Sequence, residues 1–128
     1  MHANEAALRA AGDAISSGDF ETFLSHYADD VVVHYPGSSP LAGDHHGKEA
    51  FLGVFGRFAE ITGAPPQIAV HDVFANDDHG VVLQLVHIER NGKNLDAQQV
   101  VVSHFVDGKV AEIWPTFLDQ QAVDDMLV

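Results

Sequence analysis

Histidine and acidic side chains are concentrated between His34 and Phe51, and together they could supply ligands for a metal ion. His45 and His46 are adjacent, and Glu49 follows shortly after them. However, the His-Glu-x-x-His arrangement, which places two imidazoles on one helix face, is absent. Adjacent residues of an extended segment point to opposite sides, so His45 and His46 are poorly placed to bind one ion. We therefore predict no metal site here, and expect a solvated turn that leads from a strand into a helix.

Nucleophilic and cofactor-dependent chemistry has little support in the sequence. The chain has no cysteine, and Ser38 and Ser39 lie between prolines rather than in a G-x-S-x-G motif. Glycine motifs of the dinucleotide-binding and Walker types are also absent, so we expect no cofactor. What remains is general acid–base chemistry in a pocket, by histidine, tyrosine, aspartate or glutamate.

The size and composition of the chain indicate a single domain, residues 1–128. Of the 128 residues, 46% are hydrophobic, which is enough apolar material for one core. The formal net charge is −13, and such a charge repels nucleic acid and anionic membranes. No apolar run reaches the roughly 18 residues of a membrane span, and Glu5 interrupts a secretory-type start. With the lack of cysteine, these features favour a cytoplasmic protein.

The first half of the chain has the residue spacing of helices. A first helix is predicted around Leu8 to Ile15, with Gly18 as its C-terminal cap. Asp19 is a suitable N-cap for a second helix. The apolar stripe of that helix would contain four side chains at helical spacing: Phe20, Phe23, Leu24 and Tyr27.

A β-rich region follows, with one helix inserted into it. Val31 to Tyr35 is predicted to be a strand, and a helix beginning at Lys48 should end at Gly63. Turn signals then separate four segments rich in valine and isoleucine: 68–75, 81–90, 97–106 and 110–117. A last short helix could lie in residues 119–128. Helices followed by a meander of strands predict an α+β fold with the helices on one face of a curved sheet.

Three stretches of the chain carry a family resemblance. Residues 18–50, GDFETFLSHYADDVVVHYPGSSPLAGDHHGKEA, resemble the opening of SnoaL-like domains, which belong to the nuclear transport factor 2-like superfamily with ketosteroid isomerases and polyketide cyclases. VDGKVAEIW (106–114) and DQQAVDDML (119–127) resemble their last strand and tail. The resemblance implies a cone-shaped roll, in which the N-terminal helices pack on the concave face of a mostly antiparallel sheet around an apolar pocket. It also implies a homodimer formed by the other sheet face.

The resemblance allows the acid–base positions of such enzymes to be placed on this chain. Tyr35 stands where the isomerases have a base, just before a turn, and Ser103 stands where they have an acidic oxyanion donor. Pro115 replaces the acid that follows the tryptophan in the cyclases, and the histidine partner of that acid falls near Val101. Tyr35 and Ser103 are thus the candidate catalytic groups that the resemblance implies.

His71 is a third candidate catalytic residue. The pattern after Pro65 and Pro66 does not fix the direction of its side chain, so it could face the cavity beside Tyr35. A tyrosine and a histidine placed together could support isomerisation or dehydration.

Strand alternation extends the predicted pocket, because side chains two residues apart share a sheet face. The pocket residues that share the parity of Tyr35 and Ser103 are Gln84, Val86, Ile88, Gln99, Val101, Phe105, Ile113, Pro115 and Phe117. Such a lining suits an uncharged, mostly apolar small molecule. Two functions follow: a binding protein without chemistry, or a cofactor-independent isomerase, cyclase or dehydratase that uses Tyr35 and possibly His71.

The opposite parity places four other side chains on the outer sheet face: His34, His87, His104 and Trp114. A face that mixes tryptophan, aliphatic residues and histidine resembles a subunit interface. We therefore expect a homodimer through this face, and we expect acid to weaken it by charging the histidines.

Overall fold

The N-terminal helices begin and end where their capping residues predict. The structure is a computed structural model that describes residues 1–128. Helix α1 spans Ala3–Ser16, and Gly18 beyond it has a φ of 79°, a left-handed conformation that favours glycine. The Asp19 carboxylate then accepts a hydrogen bond from the Thr22 N–H at 3.1 Å and caps the short helix α2, Phe20–Leu24.

One six-stranded sheet forms the other layer. Its strands are β1 (Tyr27–Tyr35), β2 (Gly43–His46), β3 (Gln67–Ala75), β4 (His79–Arg90), β5 (Lys93–Val106) and β6 (Lys109–Phe117). The spatial order is β2-β1-β6-β5-β4-β3, and every pair of neighbours is antiparallel except β1 and β6, which are parallel. Tight turns at Asn91-Gly92 and Asp107-Gly108, with positive φ at each residue, connect the last three strands as predicted.

Two further helices complete the domain. Helix α3, Lys48–Thr62, lies over β1 and β4 and ends at Gly63, whose φ is 91°. Helix α4, Gln120–Leu127, is capped by the Asp119 carboxylate. The helices cover one face of the curved sheet, so the α+β architecture predicted from the sequence is confirmed. None of the helices combines the length and hydropathy needed to cross a membrane.

The structure corrects the sequence prediction on both sides of the first strand. Tyr27 belongs to β1 and pairs with Val110, although its spacing from Phe20 had placed it on the second helix. The helical pattern continued by coincidence, because the helix ends at Leu24 while the next apolar residue faces the same core. Strand β2 was not predicted, since its sequence GDHH contains no residue of high β propensity.

The buried side chains form two clusters that meet at Tyr35. The first cluster joins α1 and α2 to the sheet and includes Leu8, Phe23 and Val33. The second joins α3 and α4 to the sheet and includes Phe58 and Val123. Tyr35 packs against both clusters, at the end of β1.

Candidate functional site

A cavity of about 90 Å³ lies between the helices and the concave face of the sheet. It is lined by 23 residues, of which 17 are hydrophobic. The helices contribute Leu8, Ala11, Gly12, Ile15, Phe23, Phe51, Val54, Phe55 and Phe58. The sheet contributes Tyr27, Tyr35, Ile68, Val82, Gln84, Val86, Gln99, Val101, Ser103, Ile113, Pro115 and Phe117, and the connections contribute Leu41 and Pro66.

Aromatic rings form the wall of the cavity that is made by the helices. Phe23, Tyr27, Phe51 and Phe55 lie in a continuous group, with ring centroids 4.9 to 5.8 Å apart in tilted and edge-on arrangements. These separations are within the range of favourable aromatic pairs. The sequence predicted the helix from Lys48 to Gly63, but residue spacing alone did not indicate which of its side chains border open space.

The sheet wall agrees with the predicted lining at most positions and differs at two. Gln84, Val86, Gln99, Val101, Ile113, Pro115 and Phe117 line the cavity, together with Tyr35 and Ser103. Ile88 and Phe105 do not, although both are buried. Ile88 belongs to the second core cluster, and Phe105 fills the space beside Gly80, where Leu8 also packs. Alternation therefore identified the buried face correctly, but packing at both ends closes the cavity before these two residues.

The polar groups of the cavity are neutral. Two hydroxyls come from Tyr27 and Tyr35, one from Ser103, and two amides from Gln84 and Gln99; no Asp, Glu, His, Lys or Arg side chain lines the space. The hydrogen bond from Gln84 Nε2 to Gln99 Oε1, at 2.6 Å, is the only one between two side chains of the lining. The three hydroxyls make no hydrogen bond to protein, so they are free to bind a ligand.

Tyr35 is held in its protonated form. Burial raises the pKa of its phenol well above the ordinary value of 10, and the negative charge of Asp124 raises it further. Burial alone raises the pKa of Tyr27 in the same direction. At neutral pH both groups can therefore donate a hydrogen bond, while neither serves as a base.

Asp124 is a buried carboxylate just outside the cavity. It is 5% exposed and accepts hydrogen bonds from the Ser38 backbone N–H at 3.0 Å and from Gln120 Nε2 at 3.1 Å. The Ser38 hydroxyl, at 3.3 Å, donates a third. These bonds fasten α4 to the turn that follows Tyr35. Sequence reasoning missed this role of Asp124, because aspartate in a polar C-terminal helix usually faces solvent.

The side chain of His71 does not face the cavity, contrary to the possibility left open by the sequence. The β3–β4 register shifts between Val70 and Asp72, so His71 is the extra residue of a β-bulge, and its side chain is exposed. It does not line the cavity and is not placed to act with Tyr35. The sequence left this direction open because the pattern after Pro65 and Pro66 does not fix the parity of the strand, and the bulge then interrupts the alternation at His71 itself.

Two of the three outer-face histidines, His34 and His87, are paired with carboxylates. His34 Nδ1 lies 2.8 Å from Asp44, and its Nε2 contacts Glu112. Since both carboxylates accept, His34 bonds both of them only as the imidazolium, and these bonds raise its pKa, with Glu112 the larger cause. The two carboxylates lie on opposite ring nitrogens and cannot converge on one ion. No cluster of three or more His, Asp or Glu side chains in the chain could hold a metal ion.

His87 and His104 lie on the same outer face in different surroundings. Asp96 lies 2.6 Å from His87 Nδ1, and Glu89 lies 3.4 Å from Nε2; hydrogen bonds to Asp96 first, then Glu89, raise the pKa of His87. His104 instead lies beside His79, with ring centroids 5.1 Å apart.

Comparisons with known proteins identify a family and a shared fold. The sequence profile of the SnoaL-like domain matches residues 8–113. Among solved structures, the chain is similar to Bal32a from a soil-derived mobile gene cassette, with 31% identity and a TM-score of 0.91 over 98% of this chain and 97% of that one. An NTF2-like protein from Burkholderia pseudomallei K96243 shares 20% identity, with a TM-score of 0.88 over 100% and 99% of the two chains.

A third similar structure is that of TerC co-crystallised with polyporic acid. It shares 21% identity with this chain and has a TM-score of 0.86 over 98% of both chains. At this identity the likeness concerns the fold alone. No protein of curated function matches the sequence.

Proposed function

The chain belongs to the SnoaL-like domain family of the nuclear transport factor 2-like superfamily, and we propose that it binds a small, uncharged and mostly apolar molecule in its cavity. The observation that carries this proposal is the absence of charged side chains from a lining that still offers three hydroxyls without protein partners. A charged ligand would lose its hydration without gaining a counter-ion. An apolar ligand with one or two polar atoms would lose little favourable hydration on entering the cavity.

The size of the cavity limits the ligand. Its volume of about 90 Å³ is below the ~150 Å³ of an engineered apolar cavity that binds benzene. A compact aromatic ring therefore fits only if a side chain of the lining changes its rotamer and enlarges the cavity. Phe55 is the best candidate, since it is half-buried on α3 while its neighbours Phe51 and Phe58 are fully buried.

Binding of acetophenone against benzoate tests the proposal. The two compounds share a ring and a carbonyl, but only benzoate is charged at neutral pH. We expect acetophenone to raise the unfolding temperature and to bind in calorimetry, and benzoate to do neither. Equal binding of both would contradict the proposal.

A pair of variants on β5 shows whether binding occurs in the cavity. Val101→Phe places a larger side chain inside the cavity, whereas Val106→Phe adds the same group at an exposed position of the same strand. Acetophenone binding should be lost in the first variant and kept in the second. Undiminished binding to Val101→Phe would place the ligand elsewhere.

An enzymatic function is a second candidate, and the state of Tyr35 favours it. A phenol that stays protonated and lacks a protein partner can donate to a substrate carbonyl, as an isomerase, cyclase or dehydratase requires. However, the cavity contains no carboxylate or imidazole that could remove a proton from carbon. If a substrate is found, Tyr35→Phe should lower kcat by about 10²-fold or more, and turnover within a few-fold of the native protein would exclude this role.

We further propose that two copies pair through the outer face of the sheet. Leu85 and Trp114 are 42% and 37% exposed there, beside the half-buried Val100 and Val102. An exposed tryptophan among aliphatic side chains is typical of an interface core. Sedimentation of the native protein and of Leu85→Lys tests this proposal. We expect the native protein to be a dimer and the variant to be a monomer. A monomeric native protein would contradict the proposal.

A further inference from the structure

The two glutamine amides of the cavity form a hydrogen-bonded pair that is only half satisfied. Gln84 of β4 and Gln99 of β5 are directly opposite each other in the antiparallel ladder. Their side chains both line the cavity, where Gln84 Nε2 donates to Gln99 Oε1 at 2.6 Å. Gln99 is only 6% exposed, so its unused amide group is screened from bulk water.

A single hydrogen bond between two amides leaves one NH₂ group and one carbonyl oxygen without any partner. Each amide has one carbonyl oxygen and one NH₂ group, and the single bond between them uses one of each. Gln84 Oε1 and Gln99 Nε2 make no hydrogen bond to protein, and no buried polar side-chain atom is shut off from both protein and open space. The two groups are therefore exposed to the cavity. They come from facing residues whose Cα atoms are about 5 Å apart in such a ladder.

Resting on the cavity function proposed above, we infer that the ligand carries a carbonyl beside an N–H or O–H donor, as in a lactam or a hydroxy-ketone. Gln99 Nε2 donates to the ligand carbonyl, and Gln84 Oε1 accepts from the ligand donor. The rest of the ligand lies against Val86, Val101 and Phe117, which border the pair on the same sheet face. A ligand without the donor leaves a buried carbonyl oxygen unpaired, and this penalty is what gives the pair its selectivity.

Three small lactam probes separate hydrogen bonding from size. They are 2-pyridone, N-methyl-2-pyridone, which lacks the donor, and 3-methyl-2-pyridone, which has the same added volume but keeps the donor. We expect 2-pyridone and 3-methyl-2-pyridone to bind about 10-fold more tightly than N-methyl-2-pyridone, as one buried hydrogen bond provides. Equal affinity for all three, or equal weakening by both methyl groups, would overturn the inference.

Variants of similar side-chain length test the role of the pair. A single Gln84→Met or Gln99→Met change frees the group that the lost partner had bonded, so the remaining glutamine still offers one carbonyl oxygen and one NH₂ group. In the double variant Gln84→Met/Gln99→Met both groups are lost, so 2-pyridone should bind no more tightly than N-methyl-2-pyridone. A preference that persists in the double variant would overturn the inference, and the comparison of probes on the native protein stands even if the variant fails to fold.

The outcomes also separate this inference from the proposed function. If acetophenone binds in the cavity but the lactams show no donor-dependent preference, only the role of the glutamine pair is refuted. If neither acetophenone nor any lactam binds, the cavity function itself is refuted.

Discussion

The imidazole of His34 stacks on the indole of Trp114, with ring centroids 5.3 Å apart and planes inclined by 18°. The carboxylates of Asp44 and Glu112 flank the same imidazole. An imidazolium over an aromatic face and between two acids is favoured in its charged form. One side chain thus connects β1, β2 and β6 on the outer side of the sheet.

Replacement of His34 should make stability less dependent on pH. The folded pKa is raised above the unfolded value of about 6.5. Its contribution is therefore fully present below that value and is lost as the pH rises through the folded pKa. We expect His34→Gln to cost more free energy of unfolding at about pH 6 than at about pH 8.5, as measured by urea denaturation.

The exposed His71, which has no carboxylate partner, provides the control for that experiment. His71→Gln removes no ion pair and should change the free energy of unfolding by about 0.5 kcal/mol or less. A His34→Gln effect of the same size at both pH values would show that its carboxylate pairs do not stabilise the fold.

The proposed outer-face dimer should be weaker in mild alkali than near pH 6.5, which reverses the direction expected from the sequence. His34 and His87 each lie between two carboxylates. Protonation of both histidines therefore halves the charge of these two groups, from −4 to −2, whereas deprotonation leaves the full negative charge of each copy to repel that of the other. Sedimentation at low salt should show more monomer at pH 8.5 than at pH 6.5, and an opposite trend would contradict this pairing.

The tyrosines should resist ionisation in the folded protein. The chain has two, and the pKa of each is raised well above 10 by burial. Absorbance near 295 nm should show little tyrosinate at pH 10.5 in the native protein, whereas the urea-unfolded chain should titrate near the ordinary pKa of about 10. Ionisation of one tyrosine at its ordinary pKa in the native protein would show that its hydroxyl is open to bulk water.

Loss of the Asp124 carboxylate should destabilise the fold. Asp124→Ala removes the acceptor of the Ser38 and Gln120 hydrogen bonds in a buried place, at a cost of about 2–3 kcal/mol in the free energy of unfolding. Asp124→Asn keeps one carbonyl oxygen for the Ser38 N–H and should cost less. The control is Asp125→Ala, next to it but exposed, which should change stability by about 0.5 kcal/mol or less. Equal effects of the two alanine variants would contradict the role of Asp124.

Strand alternation predicted which sheet face a residue lies on better than it predicted whether the residue borders the cavity. The parity of Gln84, Gln99 and Val101 was sufficient, because the β4–β5 ladder is regular along its whole length. His71 and Phe105 lie where the strand register shifts at β-bulges. No residue type in those segments predicts a bulge. Distance from the cavity also depends on packing, which is why Ile88 has the right parity but lies in the core.

The tertiary network of the turn after Tyr35 was beyond prediction for another reason. The bond between Ser38 and Asp124 joins residues 86 positions apart, and it forms only because α4 folds back over the end of β1. Local spacing carries no information on such a contact. The caps at Asp19 and Asp119 were predictable because each depends on residues within one helical turn.

The parallel pairing of β1 with β6 has a consequence for the order in which the chain folds. Strands β3 to β6 connect through short turns and can pair as soon as each has been synthesised. One edge of β1 pairs with the nearby β2, but its other edge must wait for a partner about 80 residues later, Val33 pairing with Ile113. Contacts so distant along the chain form slowly. On the ribosome, β1 therefore has only β2 and α3 as early partners, and the pairing that joins it to the rest of the sheet forms only after β6 has emerged.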